Sequence, residues 1–304
     1  MAENNLSPGG SPHSGVEIDP VTNQPTTGHV WDGIRELNRP LPRWWVWTFY
    51  ACIAFAFVYV LLYPAIPLIR GGTTGLLGYS TRAAVEADIA GARAAQSGNL
   101  QRVAALPLKD IRADAELARF AIAGVRSAFL VNCVQCHGSG AAGSPGYANL
   151  NDDDWLWGGT VEDIHQTISF GIRSAHPDTR VSQMPAFGTD AILKPTEVNA
   201  AAEFVLSLSG KSRDTKLAAD GKTIFADNCA ACHGDAGQGN REFGAPKLSD
   251  AISLYGSDRA TVVAQITQPR HGVMPAWAGR LNETVIKELT LYVHSLGGGE
   301  ASRD

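Results

Sequence analysis

The chain has 304 residues, is 44% hydrophobic and 18% charged, and carries a net charge of −5. That composition excludes a chain disordered or membrane-embedded throughout, and the absence of a long basic run argues against nucleic-acid binding. The length suits about two domains.

Residues 1–28 are rich in Pro, Gly, Ser, Thr and Asn and read as a disordered tail inside an N-terminal segment, 1–43. No charged residue lies between Arg43 and Arg70. The run exceeds the ~20 residues that cross a bilayer as a helix, so a transmembrane helix is expected over 44–69. Its start, "RWWVWTFY", places aromatics where an interfacial belt would sit. Pro64, Pro67 and a glycine-rich exit end it. The run is too long, and begins too far into the chain, for a signal peptide. Arg35, Arg39 and Arg43 crowd the N-terminal flank, whereas Arg70 and Arg82 are sparser beyond it. This bias puts the N-terminus in the cytoplasm and the rest outside. Cys52, inside the span, reads as a small apolar filler.

Residues 70–118 read as a helical linker. After it the sequence repeats. The first copy runs "VNCVQCHGSGAAG", "WGGTVEDIHQTI", "MPAF" and "LKPTEVNAAAEFVLSLSG". The second runs "DNCAACHGDAGQG", "YGSDRATVVAQI", "MPAW" and "LNETVIKELTLYVHSLGG". Helices are expected before each motif, over "DAELARFAIAGVRSAFLVN" and "KLAADGKTIFADN". Middle helices follow over 160–168 and 258–266, and closing helices over 197–208 and 283–296. Each closing helix has an apolar face: Val198, Ala201, Ala202, Val205 and Leu208 in one, Val285, Leu289, Tyr292, Val293 and Leu296 in the other. No convincing β alternation appears. The expected class is all-α: one N-terminal transmembrane helix, then two tandem cytochrome c-like haem domains, 119–210 and 211–304.

The haem expectation rests on Cys-x-x-Cys-His, the attachment pattern of c-type haem. Cys133 and Cys136, and again Cys229 and Cys232, stand one helical turn apart and suit the two vinyl groups of a porphyrin edge. His137 and His233 follow as proximal iron ligands. A soft, neutral thioether as sixth ligand raises the reduction potential. Met184 and Met274 recur at matching repeat positions, each before a proline that restrains the loop. A zinc site needs four protein ligands, more than either copy offers, and a thioredoxin-like motif needs a βαβ context. His165, His176, His271 and His294 are rivals for the sixth position, while His13 and His29 precede the span. Arg173 and Arg270 are candidates to pair with haem propionates. Trp157 and Tyr255 hold matching positions and are candidates to pack on a haem. The acidic stretch "NDDDW" suits either a turn or a basic partner protein.

Two such motifs occur in many cytochromes. The phrases "TTGHVWDGIRELNRPLPRWWVWTFYACIAF", "YPAIPLI", "GLLGYSTRA" and "YVHSLGGGE" narrow the match. With them the chain resembles, over nearly its whole length, the membrane-anchored dihaem subunit (subunit III, or P subunit) of cbb3-type cytochrome c oxidases. The resemblance implies two covalently attached haem c groups. It implies Cys133, Cys136 and His137 at one, Cys229, Cys232 and His233 at the other, and Met184 and Met274 as distal ligands. Each methionine could serve its own repeat's haem, or the two loops could be exchanged. The implied role is electron transfer, with no oxygen-reducing site of its own. A donor cytochrome c supplies electrons, which pass to the monohaem subunit and then the haem–copper catalytic subunit. The implied location is the bacterial inner membrane, single-pass, with the haem domains periplasmic. A stand-alone dihaem shuttle and a dihaem peroxidase are the competing functions.

Overall fold

The computed structural model describes residues 17–250 and 252–302. The expected tail therefore lies outside the described residues as far as 16, His13 included. The chain divides into two compact units that meet at Gly91 and Ala92.

In the first unit, part of the expected tail is instead a small antiparallel sheet in the order β1-β2-β3: β1 (Ile18–Asp19), β2 (Gln24–Trp31) and β3 (Ile34–Leu37). Asp32 and Gly33 join β2 to β3 with φ of 49° and 84°, the doubly left-handed turn that fits a two-residue hairpin. Asx contacts from Asp19 to Thr22 close the β1–β2 turn. The composition that suggests a tail is also turn chemistry, which explains the difference.

Helix α1 (Arg43–Leu62) is the one helix among the described residues long and apolar enough to cross a membrane, with a mean hydropathy of 2.0. It stops short of the expected residue 69. Tyr63, next to Pro64, is extended at φ −114° and ψ 160°, as a residue before proline prefers. A short hairpin of β4 (Pro67–Leu68) and β5 (Gly71–Gly72) follows.

Helix α2 (Thr81–Ala105) leads into the second unit, followed by α3 (Leu108–Ala113) and α4 (Ala115–Asn132). Next come α5 (Val134–His137), α6 (Val161–Phe170), α7 (Pro195–Leu208), α8 (Thr215–Asn228), α9 (Ala230–His233), α10 (Arg259–Thr267) and α11 (Glu283–His294). Asp114, Thr160, Asp214, Asp258 and Asn282 cap their helices, each accepting a backbone N–H of its own first turn.

The packing of α4 to α11 exchanges the repeats. Helix α11, from the second repeat, packs on α4 and α6 of the first, burying Val125, Phe129, Ile168, Ile286, Leu289 and Val293 in one core. Helix α7, from the first repeat, packs on α8 and α10 of the second, burying Phe187, Val198, Ala201, Ala202 and Ile266. The crossings match: Phe129 meets Tyr292 and Phe225 meets Phe204, each with ring centroids 5.0 Å apart. Each core thus draws helices from both 119–210 and 211–304. A third core of Val103, Ile111, Leu117, Ala121, Val161 and Leu291 seats the end of the linker. Lys287 Nζ donates to the carbonyls of Ala104 and Leu106 at 2.9 and 3.0 Å, capping the end of α2.

Glu288, beside it on α11, is buried, and burial pushes its carboxyl from 4.5 to about 7. A carboxyl raised by folding favours the folded state while protonated. Its stability contribution is full below about 4.5 and is lost as pH rises through about 7. Glu288→Gln should flatten this dependence and stabilise the chain at alkaline pH by roughly 2 kcal/mol, allowing for partial solvent access. Thermal melts of both proteins on either side of neutrality check it; parallel curves would refute it.

Candidate functional site

Each Cys-x-x-Cys-His forms one short helical turn at the end of a long helix. Cys133 caps α4 and opens α5, and Cys229 does the same between α8 and α9. The four thiols are free of disulfides. Cys136 and Cys232 are exposed, while Cys133 and Cys229 face inward. Burial, then the neighbouring thiol, pushes each inner cysteine up to about 11. Gly138 and Gly234 then turn the chain at φ +77°, a conformation that costs glycine little.

The loop that follows holds the histidine. The Gly143 N–H donates to His137 O, and the Gly239 N–H to His233 O, both at 2.8 Å. His137 Nδ1 lies 2.9 Å from Ala148 O, and His233 Nδ1 lies 3.0 Å from Pro246 O. A carbonyl can only accept, so each Nδ1 carries the proton and each Nε2 keeps a lone pair for a metal. Burial lowers the His233 pKa against the opposing Pro246 hydrogen bond, a shift toward the neutral ring that a ligand presents. The free thiol pair, the fixed tautomer and the apolar lining fit a haem c.

The methionine loops lie opposite to their sequence order. Met274 packs in the core that holds Cys133, Val134 and Phe129. Met184 packs with Ile224, on the helix leading to Cys229, and with Ile266. Backbone bonds fix the exchange. Gly188 and Thr189 N–H donate to Thr267 O at the end of α10 (3.2 and 3.1 Å), whereas Trp277 and Ala278 N–H donate to Ser169 O near the end of α6 (3.1 and 2.9 Å). Met274 and Ile172 exchange both backbone bonds at 3.0 Å. Gly171 (φ +74°) makes room for that approach, since a Cβ there would strike Met274 O.

Each rival histidine is engaged elsewhere. His165 Nε2 lies 2.8 Å from Glu283 Oε1. His176 stacks on Phe170, and its Nδ1 accepts from the Asp178 N–H at 3.1 Å. His271 Nε2 accepts the Met184 N–H at 3.1 Å, and His294 Nε2 lies 2.8 Å from Glu300 O.

Arg173 turns to carbonyls: Nε donates to Gly272 O at 2.7 Å and Nη1 to Ser182 O at 2.9 Å. Arg270 lies over the Tyr255 ring at 4.6 Å, and the Tyr255 hydroxyl accepts the Gly272 N–H at 3.1 Å. Trp157 is buried under the Arg180 guanidinium, 5.3 Å away. Arg180 has no counterpart among the sequence candidates; its signal was a cation placed in the run just before "SQMP". It bonds Thr167 Oγ1 at 3.0 Å and pairs with Asp163 at 3.4 Å. "NDDDW" forms a turn on a cleft of about 410 Å³ shared with Arg241, Lys247 and Asp250. Burial, then Asp250 and Asp152, raises Asp154 there.

Fold and site together define a class: a c-type cytochrome built of helical haem domains behind a helix long and apolar enough to anchor it. Residues 23–70 match the family described as the N-terminal domain of cytochrome oxidase-cbb3, FixP. Residues 121–205 and 216–293 match the family described as cytochrome c oxidase, cbb3-type, subunit III. The chain is 53% identical to the cbb3-type cytochrome c oxidase subunit FixP of Sinorhizobium medicae, over 93% of this chain and 98% of that one. It is 54% identical to subunit CcoP of Cereibacter sphaeroides, over 91% and 96%. It is 52% identical to FixP of Bradyrhizobium diazoefficiens, over 93% and 98%. The chain belongs to the subunit III family of cbb3-type cytochrome c oxidases.

Proposed function

We propose that this chain is the dihaem electron-transfer subunit of a cbb3-type oxidase, with crossed methionine ligation. Cys133 and Cys136 hold the first haem c covalently, with His137 proximal and Met274 distal. Cys229 and Cys232 hold the second, with His233 proximal and Met184 distal. The observation that carries this reading is a Cys-x-x-Cys-His with its Nδ1 anchored on a carbonyl, packed in the same core as the other repeat's methionine. Haem, when bound, supplies a one-electron iron couple. The chain's own residues set that couple: Nε2 and the thioether hold the iron, and the thioether favours the ferrous state. Buried Phe129 and Phe225, on the helices that lead to Cys133 and Cys229, would give each haem an apolar neighbour.

The chain takes electrons from a donor cytochrome c and delivers them to the monohaem and haem–copper catalytic subunits. Helix α1 anchors it, N-terminus inside and haem domains in the periplasm. It performs no oxygen chemistry itself.

The test begins with the complex purified from membranes. The chain should keep a covalent haem stain after denaturation, at two haems per chain, and Cys133→Ala with Cys136→Ala should halve the count. The other oxidase subunits should co-purify and consume oxygen when reduced donor cytochrome is supplied. A chain that purifies alone would point to a stand-alone shuttle, and turnover of peroxide to a peroxidase.

A further inference from the structure

The two methionine loops touch each other as well as their cores. Arg173 sits at the point of contact. Its guanidinium donates to Ser182 O, two residues before Met184, and to Gly272 O, two residues before Met274. Its backbone is left-handed at φ 51°, a conformation that costs a non-glycine residue free energy and persists where the surroundings impose it. Its N–H bonds Arg180 O at 2.8 Å, and Ile172 beside it is locked to Met274. Returning from the other loop, His271 takes the Met184 N–H on Nε2 at 3.1 Å. His271 lies three residues before Met274 in the chain, yet it holds the backbone of Met184.

We infer that Arg173 and His271 are positioning residues that lock the two methionine loops together, so that each loop's hold on its sulfur depends on the other. This rests on Met184 and Met274 being iron ligands. The lock follows from the chemistry of the groups. A guanidinium offers several donors in one rigid plane and can serve two carbonyls at once, which a lysine ammonium on a flexible stem does poorly. The Ser182 and Gly272 carbonyls are half-buried, and a carbonyl shielded from water and stripped of its donor carries a desolvation penalty, so losing Arg173 disturbs both loops. His271 serves one loop only, so its loss disturbs Met184 first. A loosened thioether stabilises ferrous iron less, and the potential falls.

The test uses the haem-loaded oxidase complex. The readouts are the near-infrared methionine-to-ferric-iron charge-transfer band and the midpoint potential of each haem. Arg173→Gln should weaken the band and lower the potential at both haems, with covalent haem content unchanged. Arg173→Lys, which keeps the charge but not the fork, should not restore them. His271→Phe should lower the potential of the haem ligated by Met184, while His271→Gln, whose Oε1 can accept the same N–H, should restore it. Unchanged potentials in Arg173→Gln, or a change at one haem alone, would overturn the lock. If Arg173→Gln loses its haem, the His271 pair decides: equal behaviour of Phe and Gln overturns it. Failure of the ligand reading looks different, because Met184→Ala and Met274→Ala would then leave both bands intact.

Discussion

Met274→Ala should strip the methionine signature from the haem attached at Cys133 and Cys136, and leave the haem at Cys229 and Cys232 ligated. Met184→Ala should do the reverse. The expectation follows from packing: Met274 shares a core with Cys133, and its loop is sewn to α6 by Trp277 and Ala278. Losing a thioether from the iron lowers the potential, so one of the two redox waves should fall well below the other. Spectroelectrochemical titration of each variant, with Cys133→Ala plus Cys136→Ala marking which wave is which, checks it.

Phe225→Ala should be the most damaging core substitution in the second haem's surroundings. Phe225 is 1% exposed and lies at the crossing of α8 and α7 against Phe204. Large-to-small changes at such sites cost about 3–5 kcal/mol, a large share of the ~5–15 kcal/mol that holds a domain together. Phe204→Ala should damage the same core, although Phe204 follows the first Cys-x-x-Cys-His in sequence. The pair should couple by about 0.5–1.5 kcal/mol in a double-mutant cycle. Denaturant unfolding of the four proteins measures it; additive effects would break the proposed crossing.

Much of this was legible from residues alone. The leading, middle and closing helices stand where the period of apolar residues places them, within a few residues. The repeat, the thiol spacing and the paired "MPA" phrases nominate the groups proposed to hold the haems. Which helix closes on which was not legible. Periodicity shows that 283–296 has an apolar face, but that face suits either leading helix, and only the fold brings Tyr292 against Phe129. The contacts of Arg173 and His271 were hidden for a similar reason: each reaches the backbone of the other repeat, at Gly272 O and the Met184 N–H, to which side-chain identity gives no clue. The β1–β3 sheet escaped because turn residues and tail residues are the same types.

Crossed ligation is tested most directly by an experimental structure of the haem-loaded complex, resolving the sulfur above each iron. Met274 Sδ should lie on the iron of the haem joined to Cys133 and Cys136, and Met184 Sδ on the other. Met184 Sδ on the haem of Cys133 and Cys136 would contradict it.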